Sequence, residues 1–254
     1  MIALTLGGQA GAGALEVGNV LAKSLDARYI RHLALRRIAR RLSATADAVS
    51  RKELSFASRW RRAVAMLESV MNRMGYYACD PSGFPIHPSL YVERPKLKTF
   101  PAEISDREYV TAVYDTAAEF ASEGDLVLVK RAGPVTLRRF PQIVHVGLFA
   151  SRDFRVARMA RRLGAGVNEA TEALAALEVA RRAWFRKLGG TDPEDPALYD
   201  MTVRTDIGET DGRVAWRVIE QASEARPELS FRSLMYRTTP LVEYPQDAYA
   251  SAVG

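Results

Sequence analysis

Two rhythms of apolar residues alternate along this chain. Residues 2–6 form a short continuous apolar run, the pattern of a strand buried on both faces. Leu15, Val17, Val20, Leu21 and Leu25 then recur at helical spacing. Arg28–Ile30 reads as a second strand. Leu33, Leu35, Ile38 and Leu42 suit a helix whose other face carries Arg36, Arg37, Arg40 and Arg41. A further helix is predicted over residues 58–74, from Trp60, Val64, Met66, Leu67, Val70, Met71 and Met74. Later in the chain a helix opens at Ser105 and ends at Gly124, and Leu126–Val129 and Ile143–Phe149 are continuous apolar strands. Ser151 is placed to cap a helix running to Leu163. A second helix, residues 168–187, follows the break at residues 164–166, then a strand over 198–203 and a last helix over 212–225.

Strands separated by helices imply an α/β fold: a three-layer parallel sheet with helices on both faces. One domain over residues 1–225 is expected, followed by a tail, 226–254, with three prolines and no clear period. Residues 75–101 interrupt the alternation. Five of the twelve prolines fall there among Tyr76, Tyr77, Phe84, Tyr91 and Phe100, which favours extended or turn structure. A functional flap and a passive surface excursion both fit such a stretch.

At 254 residues, 48% hydrophobic and 26% charged, the composition excludes disordered, collagen-like and low-complexity classes. The single cysteine, Cys79, forbids an internal disulfide, and three scattered histidines suggest no zinc site. No Gly-x-Ser-x-Gly elbow occurs. No basic leader and no 18-residue apolar run is present, so a cytoplasmic protein without a membrane span is expected.

Charge sharpens this picture. The formal +6 and pI near 9.5 invite an anionic partner. Residues 31–62 hold ten Lys and Arg against Asp47 and Glu53, and residues 151–187 hold nine against four acids; the remainder is net negative. The positive charge is therefore concentrated in two segments.

Between the first strand and helix, residues 7–13 contain four glycines. Gly8-Gln9-Ala10-Gly11-Ala12-Gly13-Ala14-Leu15 keeps the glycine frame of a phosphate-binding loop, in which backbone N–H groups curl around phosphate oxygens at a helix N-terminus. Ala14 stands where a lysine would reach the phosphates and Leu15 where a hydroxyl would ligate Mg²⁺. A nucleotide-binding loop and a tight strand-to-helix turn both remain open on these residues. The rival dinucleotide fingerprint is poorer, with Glu16 at its third glycine position, Gly18 two residues late and Arg31 in place of the expected acid.

A likeness runs through most of the chain. Residues 11–18, Leu21-Ala22, Tyr29-Ile30, residues 125–133, Val144-His145-Val146 with Arg155 and Arg158, Arg181-Arg182-Ala183 and residues 195–205 resemble, in that order, the cytidylate-kinase-like family of P-loop nucleoside monophosphate kinases. The resemblance implies a P-loop kinase-like core, a helical acceptor-binding insertion at residues 31–104 and an Arg-rich lid at 151–190. It implies ATP with Mg²⁺, and small nucleotides as partners. Gly8, Gln9, Gly11, Ala12, Gly13, Arg155 and Arg158 would bind the nucleotide, and Arg131, Arg181 and Arg182 would be catalytic, with Arg131 on the acceptor phosphate and no metal-ligating residue. Guanidinium suits the task because its planar fork matches phosphate oxygens two at a time.

The sequence departs from the family at Gly8, where the family has an arginine, and at Arg31, which replaces an acid. Lys130 and Ala132 replace glycines, and Val179 replaces a lid acid, with Glu178 one residue away. No carboxylate follows Val129. Two functions follow: γ-phosphoryl transfer from ATP to a nucleoside monophosphate, CMP or dCMP by resemblance, or a catalytically inactive fold-mate acting as a nucleotide sensor or interaction module. Arg36, Arg37, Arg40 and Arg41 read as a solvated helix face rather than a nucleic-acid reader, since no aromatic stacking pattern accompanies them. Arg181 and Arg182 have Glu178 within helical reach as an alternative partner. His87 and His145 read as structural.

Overall fold

The computed structural model describes residues 3–30, 33–56, 78–79, 85–86, 98–129, 132–208 and 210–226. The expected helix at 58–74, most of the proline-rich stretch, and Arg31, His87, Lys130, Arg131 and residues 227–254 lie outside them.

Five strands form one sheet in the order β2-β5-β1-β6-β7, all parallel: β1 (Ala3–Gly8), β2 (Arg28–Ile30), β5 (Leu126–Val129), β6 (Ile143–Phe149) and β7 (Met201–Arg204). Two-residue strands β3 (Ala78–Cys79) and β4 (Pro85–Ile86) pair antiparallel elsewhere. Parallel neighbours need a crossover, and helices supply it. They are α1 (Ala14–Ser24), α2 (Leu33–Arg41), α3 (Ala46–Ser55), α4 (Asp106–Ser122), a single turn α5 (Gly133–Thr136), α6 (Arg152–Leu163), α7 (Val167–Gly189) and α8 (Asp211–Ala225).

The central strands β1 and β5 are buried throughout, as their continuous apolar runs predict. Leu4 and Leu6 of β1 pack with Val144, Val146, Leu21 of α1 and Val218 of α8 on one face. Ala3, Leu128 and Ile143 pack with Ala34 of α2 and Phe120 of α4 on the other. The three-layer α/β architecture expected from the alternation is present.

Three local features differ from the pattern-based expectations. Helix α3 carries Asp47, Arg51, Lys52 and Glu53 among its ten residues, so its apolar stripe of Ala46, Ala48 and Val49 is too thin to register as periodic. Residues 198–203 are not all strand: Pro196–Leu198 is a turn of 3₁₀ helix capped by the Asp195 carboxylate, and pairing begins at Met201. Ser151 occupies the N-cap position of α6 but its side chain makes no capping bond. Its backbone N–H donates instead to the Asp206 carboxylate at 2.6 Å. By contrast Ser105 and Glu108 form a reciprocal capping box at the start of α4.

Two of the four arginines on the basic face of α2, Arg37 and Arg41, are ion-paired, while Arg36 and Arg40 are exposed. Arg37 pairs with Glu119 at 2.8 Å and with Glu123, Arg41 with Glu119 at 2.6 Å, and Arg28 with Glu123 at 2.6 Å. The Arg37 guanidinium also lies 4.2 Å from the Phe120 ring centroid.

Candidate functional site

The site is built where β1 ends and α1 begins. Gly8, Gly11 and Gly13 all have positive φ, at 90°, 80° and 94°. At Gly8 the conformation coincides with a close approach: the Gln9 N–H donates to the Leu148 carbonyl at 2.8 Å, and a Cβ on Gly8 would collide with the Leu148 backbone. At Gly13, the left-handed N-cap of α1, a Cβ would meet the Arg158 guanidinium. Only glycine takes up these turns without strain, and they curl the chain back toward the start of α1.

Tyr199 braces this curl from behind. Its hydroxyl accepts the Gly8 N–H at 2.8 Å and donates to the Pro193 carbonyl at 2.6 Å. A Cβ on Gly7 would stand 2.7 Å from the ring, so Gly7 leaves room for the tyrosine against β1. Burial pushes the Tyr199 hydroxyl pKa up against the lowering pull of Arg181, so it stays protonated and can both accept and donate. Gln9 adds a second brace: its Oε1 accepts the Ala150 N–H at 3.0 Å and its Nε2 donates to Glu194 at 3.2 Å. Neither Tyr199 nor Glu194 was expected in this role. The signal for Tyr199 was its place in the segment 195–205.

The arginines from the second basic segment converge on the loop, most of them already paired. Arg155, 6% exposed, donates to the Ala150 and Ala10 carbonyls at 3.2 Å each and pairs with Glu178. Glu178 therefore partners Arg155, not Arg181 or Arg182. Arg158 binds Glu16 at 3.3 Å and Asp211 at 2.6 Å, and Arg162 also binds Glu16. Burial raises the Glu16 pKa, but Arg162, seconded by Arg158, outweighs it and leaves the carboxyl below its ordinary value. Arg182 reaches Glu194 at 3.2 Å and Asp192 at 3.6 Å.

Arg181 differs. Among the described residues it is the one of these five arginines with no carboxylate in ion-pair range. Its Nη1 donates to the Gly8 carbonyl, and its guanidinium lies 5.3 Å from the Phe185 ring centroid. Burial pulls its pKa below the ordinary arginine value, opposed by Tyr199, Glu194 and Asp192.

Arg181 lines a cavity of about 50 Å³ with Gly11, Gly13, Ala14, Leu15, Trp184 and Phe185. Backbone donors and one guanidinium suit phosphate oxygens. The residues present do not suit a protein-held Mg²⁺. No group of three His, Cys, Asp or Glu side chains able to hold a metal occurs among the described residues, and Leu15 offers no hydroxyl. The structure thus brings together Gly8, Gln9, Gly11, Ala12, Gly13, Arg155, Arg158, Arg181 and Arg182; Arg131 is outside the described residues.

The cytidylate kinase-like family model matches residues 3–207, four-fifths of the chain, including the loop and every arginine named above. The chain belongs to the cytidylate kinase-like family. The family is one of nucleotide-binding, kinase-like proteins, which agrees with a glycine loop facing a guanidinium. Among solved structures, this cytidylate kinase-like chain is similar to an uncharacterized protein from Eubacterium ventriosum ATCC 27560, with a TM-score of 0.56 at 12% identity over 87% of this chain and 98% of that one. At that identity the likeness is one of fold. No curated protein matches the chain. No helix among the described residues is long and apolar enough to cross a membrane.

Proposed function

We propose that this cytidylate kinase-like chain seats the phosphates of a nucleoside triphosphate on Gly8 to Gly13 and a nucleoside monophosphate, CMP or dCMP, near Arg131. In this proposal residues 31–104 are the acceptor-binding insertion and 151–190 the lid of one domain spanning 1–225. The observation that carries it is the placement of Arg181, a cavity-lining guanidinium without a carboxylate partner among the described residues, beside a loop in which Gly8, Gly11 and Gly13 all adopt positive φ. The loop N–H groups and Arg181 would neutralise and orient the donor phosphates, with Arg182 on the charge that develops during transfer. Phosphoryl transfer depends chiefly on in-line positioning and charge neutralisation.

A second function, nucleotide binding without turnover, is favoured by two specific observations. Ala14 and Leu15 line the cavity where a lysine and a hydroxyl would act, and Arg155, Arg158 and Arg182 are held by Glu178, Glu16, Asp211 and Glu194. Calorimetry with ATP, CTP and CMP, run beside a coupled ADP-release assay, decides between them. Binding with ADP release supports the kinase, and binding without release supports the sensor. Absence of binding in the wild type, or binding unchanged in Arg181→Ala, overturns both.

A further inference from the structure

Tyr199 makes a demand on the sheet that two glycines meet. Gly7 of β1 and Gly147 of β6 are direct partners in the parallel ladder. A Cβ on Gly147 would stand 2.8 Å from Cγ and Cδ2 of the Tyr199 ring, and a Cβ on Gly7 would stand 2.7 Å from Cε1 and 2.8 Å from the hydroxyl oxygen. The ring therefore passes both glycines, with its stem at Gly147 and its tip at Gly7. Glycine weakens a strand interior and is expected there where another group must approach the backbone closely. Phe149 meets the ring edge-on, with centroids 6.2 Å apart and planes at 89°.

A phenylalanine would fill this slot equally well, so the hydroxyl serves something besides packing. Its oxygen accepts the Gly8 N–H at 2.8 Å and so fixes the peptide that enters the loop. The next peptide is held at both ends: the Gly8 carbonyl accepts from Nη1 of Arg181, and the Gln9 N–H donates to the Leu148 carbonyl at 2.8 Å. Both peptides flanking the Gly8 Cα are thus held, which pins its φ of 90° and the direction of the carbonyl that Arg181 grips. The guanidinium is also near enough to the phenol to pull against the rise in pKa that burial causes. A guanidinium carries its N–H donors in a rigid fork. One bond to Gly8, with the Phe185 ring 5.3 Å away, orients that fork and leaves donors for an anion in the cavity that Arg181 lines.

We propose that Tyr199 is a positioning residue for phosphate binding at the glycine loop: its hydroxyl holds Gly8 in the conformation that presents Arg181 to the donor phosphates before any nucleotide arrives. The inference rests on the nucleotide-binding function proposed above and adds the means by which Arg181 is preorganised. Tyr199 acts through Gly8 and Arg181, not on the phosphates themselves. The same hydroxyl donates to the Pro193 carbonyl at 2.6 Å, beside Glu194, the carboxylate that meets Gln9 and Arg182. One phenol thereby sets both the loop and the segment that holds the neighbouring arginine.

The test is a double-mutant cycle on the full chain, read by calorimetry with ATP. Tyr199→Phe keeps the ring and should weaken ATP binding about tenfold, the order of one charge-assisted hydrogen bond that is no longer oriented. In an Arg181→Ala background the same substitution should change the affinity by less than about twofold, because the residue it positions is gone. A tyrosine that only stabilises the fold would weaken binding by the same factor in both backgrounds. A second measurement depends on no variant folding and decides alone if Arg181→Ala binds too weakly to titrate. In the nucleotide-free parent, ¹⁵N spectra should show the two Nη groups of Arg181 as separate signals, since a clamped guanidinium does not rotate freely; Tyr199→Phe should merge them. Equal losses in both backgrounds, an unchanged affinity in Tyr199→Phe, or merged Arg181 signals in the nucleotide-free parent overturns this inference and leaves nucleotide binding standing. A parent chain that binds no ATP overturns both.

Discussion

The two basic segments carry the same residue type in similar number, yet the structure uses them differently. On the α2 side, Arg28, Arg37 and Arg41 meet Glu119 and Glu123 with side chains 24–39% exposed. On the α6 side, Arg155 and Glu178 are 8% and 12% exposed, and Arg158 is 12% exposed between Glu16 and Asp211. A solvated pair contributes little, since water screens its attraction. A buried pair recovers its desolvation cost only while both members are present, so losing one is severe. Arginine count therefore says where charge is, and burial says where it matters.

The strongest test of this contrast is Arg155→Ala. It strands Glu178 in the interior and should cost about 3–5 kcal/mol in urea unfolding, whereas the apolar pair Arg155→Met with Glu178→Leu should recover most of that loss. An Arg155→Ala chain as stable as the parent would break the contrast. Next in size is Glu16→Gln, which removes the negative charge shared by Arg158 and Arg162 and one of its two acceptor oxygens, and should destabilise by about 2 kcal/mol at neutral pH.

Glu16 also predicts a pH dependence. Its folded pKa is lowered below the ordinary 4.5, so the folded state binds its proton less readily than the unfolded state. The stability it contributes is complete above 4.5 and is lost as pH falls through the folded value. Acid-unfolding curves of the parent and Glu16→Gln should therefore converge below pH 4.5; curves that stay parallel there would remove this assignment. The smallest effect is expected for Arg37→Ala, whose urea midpoint should differ little from the parent and merge with it in 1 M salt. A loss that survives salt would show that packing of Arg37 on Phe120 outweighs its charge.

The same contrast explains what was legible in the sequence. Runs such as Leu126–Val129 are local, and so the parallel sheet and most helices could be read from periodicity. The glycine loop was legible because its conformational demand is written in consecutive residues. The pairings were not: Glu16 lies 142 residues from Arg158 and appeared only as a misfit at a glycine position. Tyr199 and Gly8 are 191 residues apart, and nothing near either announces the bond. Helix α3 was hidden because its buried side is made of alanines, one valine, Ser50 and Glu53, with little hydrophobic contrast.

The apolar floor beneath the glycines sets a limit on engineering. Ala14 and Leu15 share their cavity with Trp184, itself fixed by a 2.7 Å bond from its indole N–H to the Tyr109 hydroxyl. Grafting a lysine and a serine into positions 14 and 15 would bring a long cation and a hydroxyl into a cavity that already holds the Arg181 guanidinium, against an aromatic wall that is tied in place. Conversion of this loop to the orthodox motif is therefore a problem of the opposite wall as much as of the loop, because the new cation would share its cavity with Trp184, Phe185 and the Arg181 guanidinium.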